Sequence, residues 1–158
     1  MLKKVYMIVG VLILALVAIT IISTQTNKTS QYNKFTSEST GVSFNYSKDW
    51  NITSDDKFIT LSSEDTRILI TTNPIEGQVE GLGLSTATQV LKLGANEYKV
   101  LDKEFKTPEE KEVEQKTFTF TYYYLVSAGK GFIFEVSPMQ KGEMSSDLQK
   151  MLKTFTVK

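Results

Sequence analysis

The chain is expected to fold as an α+β domain, an antiparallel sheet covered by helices, preceded by one N-terminal transmembrane helix. Three observations lead there. Residues 5–22, from Val5 to Ile22, carry no charge. Two late segments alternate apolar and polar residues with the period of a strand. The C-terminal residues space Leu148, Met151, Leu152 and Phe155 along one helical face.

The apolar run comes first. Eighteen helical residues would span about 27 Å at ~1.5 Å rise each, against a hydrocarbon core of roughly 30 Å. Ser23 and Thr24 extend it, so residues 5–24 read as the membrane segment. Lys3 and Lys4 precede it, and positive charge favours the cytoplasmic side. Residues 1–4 are therefore expected to be cytoplasmic and the C-terminal part extracytoplasmic, in a single-pass arrangement at the cell membrane. A cleaved signal peptide is the rival reading. It calls for a shorter apolar core and small residues at the cleavage site, whereas this run ends Ile21-Ile22-Ser23-Thr24. With no cysteine, the chain has no residue to carry a lipoprotein lipid.

Residues 25–34 are polar and read as a spacer, and residues 35–158 as one domain. Val42, Phe44 and Tyr46 alternate with Ser43 and Asn45, the signature of a half-buried strand. Residues 47–49 turn before Trp50. Residues 58–61 and 67–72 read as two further strands, the second stopped by Asn73-Pro74. Residues 75–84 contain Gly77, Gly81 and Gly83 and read as a loop. Ser85 or Thr86 is expected to cap a helix whose face carries Ala87, Val90, Leu91 and Ala95. Residues 98–105 read as a strand, and residues 107–114 as a charged connection.

Phe118, Phe120, Tyr122, Tyr124 and Val126 then share one strand face, opposite Thr117, Thr119 and Thr121. The aromatic stripe is expected to be core. Phe132, Phe134 and Val136 repeat the pattern after a turn, so the two segments pair as a hairpin. Pro138 ends the second strand. Ser145 or Ser146 caps the last helix, with Asp147 near its start and Lys150 and Lys153 near its end, as the helix dipole prefers.

Composition removes whole classes of chemistry. Without histidine or cysteine there is no imidazole base, no thiol nucleophile and no zinc–thiolate site. Setting Lys3 and Lys4 aside from 18 basic and 18 acidic residues leaves a net charge of about −2. That is no field for nucleic acid. The missing disulfides suit a prokaryotic exported protein.

The residues 41–50, Gly-Val-Ser-Phe-Asn-Tyr-Ser-Lys-Asp-Trp, resemble the opening signature of PsbP-like domains. Residues 151–155, Met-Leu-Lys-Thr-Phe, resemble the closing helix of that family. The resemblance covers residues 35–158 and implies an αβα sandwich around an antiparallel sheet. It implies no reaction, since relatives outside photosynthesis are mostly exported proteins of no known activity. Ser47 stands where the family commonly has proline, and no histidine is present for metal contacts. Trp50 reads as a core plug, and Gly41 as a turn residue before its strand.

Few site candidates emerge. Asp55, Asp56, Glu64 and Asp65 are oxygen donors near two turns, but they follow no calcium-loop pattern, and a solvated polar edge is the better reading. Glu109, Glu110, Glu112 and Glu114 read as an exposed connection rather than a glycosidase pair. Gly81-Leu82-Gly83 is a lone GxG with no nucleotide-binding context. Gly77, Gly81 and Gly83 in their loop, with Tyr123, form the possible partner surface, although Tyr123 is expected to be buried under the second helix. Asn27, Asn45 and Asn51 head glycosylation sequons, of which only Asn27 lies in the spacer. The leading functional expectation is a non-enzymatic, membrane-anchored binding or scaffold module with an envelope protein partner and no cofactor. The alternative is a carboxylate-based or divalent-cation-dependent extracytoplasmic enzyme, with calcium as the cation to test.

Overall fold

In a computed structural model, residues 31–107 and 115–158 are described. Residues 32–158 form one compact unit. Its architecture is mainly β: strands take 52% of the described residues and helices 12%. The expected helix-covered αβα sandwich is therefore corrected to two antiparallel sheets with two short helices.

The smaller sheet orders β1-β2-β10, with β1 Tyr32–Thr36, β2 Val42–Ser47 and β10 Thr156–Val157. The larger sheet orders β3-β4-β5-β9-β8-β7-β6. Its members are β3 Asn51–Ser54, β4 Phe58–Ser62, β5 Arg67–Thr72, β6 Gln89–Leu93, β7 Asn96–Lys106, β8 Thr117–Ser127 and β9 Lys130–Ser137. The helices are α1, Glu76–Gly81, and α2, Ser146–Thr154.

The first strand starts at Tyr32, three residues before the expected domain boundary, because residues 32–36 pair with β2. Gly41 turns the chain into β2 with φ 72°. The helix expected near residues 85–95 is not formed. Residues 89–93 pair with β7 instead, Val90 opposite Lys99 and Leu91 opposite Tyr98. Gly94, φ 64°, opens the two-residue turn between β6 and β7. A strand edge already present outweighed a weak helical spacing. Among the described residues no helix is long and apolar enough to cross a membrane, and the expected transmembrane helix falls outside them. Residues 5–24 and the acidic residues Glu109, Glu110, Glu112 and Glu114 lie outside the described residues.

The hairpin of β8 and β9 forms as expected. Ala128 and Gly129, φ 50° and 74°, make the turn with both central residues left-handed, the geometry that matches strand twist. Ser145 caps α2, its Oγ accepting from the Leu148 amide at 3.3 Å. The other end of α2 is held by Asn96, which donates to the Leu152 and Phe155 carbonyls at 3.0 and 2.8 Å, and by the Tyr98 hydroxyl, which donates to Leu152 at 2.7 Å. These bonds serve carbonyls that a helix leaves unpaired.

The main core lies between one face of the large sheet and a cover made by β2 and α2. Ile59, Ile70, Tyr123 and Phe134 come from the sheet, and Phe44, Leu148 and Leu152 from the cover. Phe155 stacks on Phe44 at 5.8 Å and meets Phe134 edge-on at 4.9 Å. Trp50 joins this core, as expected.

The register overturns the expected inner face of β8. Tyr123 pairs with Phe134 and Leu125 with Phe132 on the core side. Phe118, Phe120, Tyr122, Tyr124 and Val126 occupy the opposite, outer face. The inner face of β8 carries one ring, Tyr123, and the outer face four, so the stripe richer in rings is not the one that faces the main core.

Chain order explains the cover of that outer face. After β5 the chain must reach β6, at the far edge of the sheet, while β9, β8 and β7 lie between. That is four strand spacings, about 19 Å. Residues 73–88 make the crossing, and α1 is its central part. Val79 and Leu84 from the crossing bury against Tyr122 and Ile133 and form a second, smaller core.

Candidate functional site

The crossing segment covers the outer face incompletely. Beside α1 lies a cavity of about 400 Å³, within the range of ligand sites. Its floor is the sheet: Leu69, Ile133, Tyr122 and Glu135. Its wall is the helix: Gly77, Gln78, Gly81 and Leu82. A second hollow of about 500 Å³ shares Phe58, Thr71 and Gln78 with the first and runs toward Ile75 and Asp56. The two make a groove along α1, with exposed Phe58 where they meet and exposed Ile75 toward one end.

The strand register places the floor. Leu69 and Tyr122 both sit opposite Glu135, on neighbouring strands. The Tyr122 hydroxyl donates to Glu135 Oε2 at 2.9 Å. Burial, the bond to Glu135 and the carboxylate's charge all push the Tyr122 pKa well above its ordinary value. Tyr122 thus stays a neutral donor at physiological pH, and Glu135 keeps its second oxygen free of it.

The two wall glycines stand four residues apart, on one side of α1. A Cβ at either would meet no atom within 4 Å. Alanine would fit and would favour the helix by up to ~1 kcal/mol per site. Neither packing nor backbone geometry requires glycine there. Glycine leaves the groove wall without a side chain at these two positions. Such a short helix is marginal alone. Here Gln78 helps fix it, its side-chain oxygen accepting from the Ile75 amide at 3.2 Å.

The sequence-derived candidates divide. Gly77 and Gly81 line the groove. Gly83 turns the chain after α1 with φ 76°. Tyr123 is in the main core, 3% exposed and edge-on to Tyr98, and is not available to a partner. Burial and the charge of Asp102 push its pKa up to about 12. Asp55 and Asp56 lie before β4, while Glu64 and Asp65 lie after it. Five strand residues, roughly 16 Å, separate the two pairs, so the four carboxylates do not converge. Among the described residues no three acidic side chains are grouped to hold a metal ion. The Asp55 carboxylate is occupied locally, accepting from the Lys57 and Phe58 amides at 2.8 Å each.

Tyr122 and Glu135 are the site residues that the sequence reading missed. A signal existed for one of them: Glu135 is the only charged residue between Lys130 and Lys141. A lone carboxylate inside an apolar strand calls for a reason.

No protein-family model and no curated protein matches this chain. Among solved structures, it is similar to a crystal structure from Bacteroides thetaiotaomicron VPI-5482 with a TM-score of 0.59 and 18% identity. The match covers 81% of this chain and 49% of the other, so the chain spans about half the length of that protein. At this identity the likeness shows the fold alone. The PsbP-like resemblance rests on residues 41–50 and 151–155, and the helix-covered sandwich it implies is not the architecture found.

Proposed function

We propose that this chain is a non-enzymatic binding domain that offers the groove along α1 to another protein of the cell envelope. The apolar run from Val5 to Ile22 tethers it to a membrane, and the globular part lies outside the cytoplasm. The observation that carries the reading is the half-covered outer face of the seven-stranded sheet, bordered by two glycines that neither packing nor strain requires. A surface that mixes apolar residues with a few polar groups suits recognition.

A photocrosslinking residue at Gln78 tests the proposal in intact cells, with one at exposed Gln149 on α2 as the control. A discrete protein adduct at Gln78, absent at Gln149 and lost when Gly77→Trp fills the groove, supports it. Equal labelling at both positions, or no adduct at Gln78, overturns it.

A further inference from the structure

We infer that the groove takes a lysine side chain presented by the partner protein, with the ammonium on Glu135 and the methylene stem against Leu69, Ile133 and Leu82. The inference deepens the proposed binding role and rests on it.

Three observations carry it. Glu135 is a half-buried carboxylate in a hollow whose lining includes no lysine or arginine, and Lys57 in the adjoining hollow makes no ion pair with it. Arg67 shares the outer face two positions along β5 from Leu69, yet makes no ion pair with Glu135. Among the described residues the one ion pair is Lys92–Glu97, at 3.0 Å on the exposed far edge. The charge of Glu135 thus lacks a cationic partner among the described residues, and a half-buried charge is stabilised by gaining one. Leu69, Ile133 and Leu82 give the cavity an apolar part beside the polar Thr71 and Gln78, which suits a side chain that buries its stem and keeps its charge at the tip.

The Tyr122 bond narrows the choice of cation. A guanidinium binds best through two parallel bonds to both carboxylate oxygens. The Tyr122 hydroxyl already occupies Oε2. One open oxygen suits the compact ammonium, a point charge with three freely rotating donors. The glycine wall adds room for the chain that delivers the side chain, since Gly77 and Gly81 place no Cβ in its path.

The test uses the isotope-labelled full-length protein in nanodiscs, titrated with N-acetyl-lysine N-methylamide. The arginine, norleucine and ε-acetyl-lysine counterparts serve as comparisons. The lysine probe is expected to shift the Gly77, Gly81 and Tyr122 signals saturably, with a weak Kd, about millimolar. Norleucine and ε-acetyl-lysine are expected to bind at least about tenfold more weakly, and Glu135→Gln to weaken the lysine probe by about the same factor. Tyr122→Phe frees Oε2 and is expected to raise arginine binding relative to lysine.

Equal shifts from lysine and norleucine would overturn the ammonium recognition and leave the groove as an apolar binding surface. No shift from any probe, alongside a Gln78 adduct in cells, would overturn the lysine assignment and spare the binding role. Lysine-probe binding without any Gln78 adduct would point to a free amine and overturn the protein-borne source.

Discussion

The two faces of the seven-stranded sheet are built from the same strands and differ in what lies above them. The inner face meets β2 and α2, and Ile68, Ile70, Phe132 and Phe134 are fully enclosed. The outer face meets one crossing segment. Tyr122 and Ile133 are buried under it, while Phe105 and Phe118, farther along the β7–β8 hairpin, are 43% and 47% exposed. Residues next to each other in sequence thus do different work. Tyr123 holds the fold together, and Tyr122 orients a carboxylate in a groove. Ring content does not separate these roles; the number of elements packed on each face does.

The largest expected effect is on the inner face. Phe134→Ala leaves a cavity beside Tyr98 and Phe155 and is expected to cost about 3–5 kcal/mol. Phe118→Ala, on the outer face, is expected to cost under about 1 kcal/mol, since half of that ring is already in water. Denaturant midpoints of the two variants measure the contrast. Similar losses would mean that the two faces contribute alike.

Leu84→Ala comes next. Leu84 is fully buried, but in the smaller core under the crossing segment. Its loss is expected to cost about 2–3 kcal/mol and to act locally. Hydrogen exchange is expected to speed up in residues 76–88 and to change little in β5, β8 and β9. Uniform acceleration across the sheet would show that the outer cover and the main core unfold as one.

Gly77→Ala and Gly81→Ala are expected to run the other way. Each has room for a methyl group and is expected to raise stability by roughly 0.5–1 kcal/mol through helix propensity, while reducing whatever binds the groove. Thermal melting paired with the Gln78 crosslink tests both halves. Stabilisation with undiminished crosslinking would mean that the glycines do not serve the groove.

This contrast also marks what the sequence could reveal. The β8–β9 hairpin was legible, because strict alternation flanks the turn residues Ala128 and Gly129. So was α2, through the Ser145 cap and the spacing of Leu148, Met151 and Leu152. Strand β6 was not, because Ala87, Val90, Leu91 and Ala95 fit a helical face and only the neighbouring β7 makes residues 89–93 a strand. The fold class failed for the same reason: β1 and β6 are edge strands, each made a strand by pairing with the one that follows it. Gly77 and Gly81 were picked out by composition. Tyr122 and Glu135 face each other through the β8–β9 register, and register is invisible until the inner face is known.

High pH is expected to disturb both faces together. Tyr98 and Tyr123 inside, and Tyr122 outside, all have pKa values raised above 10.0, with burial as the first cause. A phenol whose folded-state pKa is raised contributes stability that is complete below the unfolded value. That stability is lost as pH rises through the folded value. Melting temperature is therefore expected to hold up to about pH 10 and to fall beyond it, with phenolate absorbance from these rings appearing only as the chain unfolds. Tyr122→Phe is expected to soften the alkaline fall, and Phe118→Ala to leave it unchanged. Early phenolate absorbance in the folded protein would mean that the outer face is wetter than its geometry indicates.

The smallest effect belongs to Asp55, which lies outside both cores. Its carboxylate accepts from the Lys57 and Phe58 amides in the β3–β4 turn, and these bonds hold its pKa below the usual carboxylate value. A lowered folded-state pKa means stability that is present above the unfolded value, near pH 3.8, and lost as pH falls through the folded one. Asp55→Ala is accordingly expected to melt slightly below the parent protein at neutral pH, the gap closing in strong acid. Were the gap constant with pH, the turn would depend on the shape of the side chain rather than on its charge. Asp55 is exposed and lines neither hollow of the groove, although it holds the backbone of Phe58, which lines both, so its loss is expected to affect groove binding far less than the loss of Glu135. That makes it a control for the Glu135→Gln variant: one substitution removes a charge that the backbone already satisfies, the other a charge for which the fold supplies only a tyrosine.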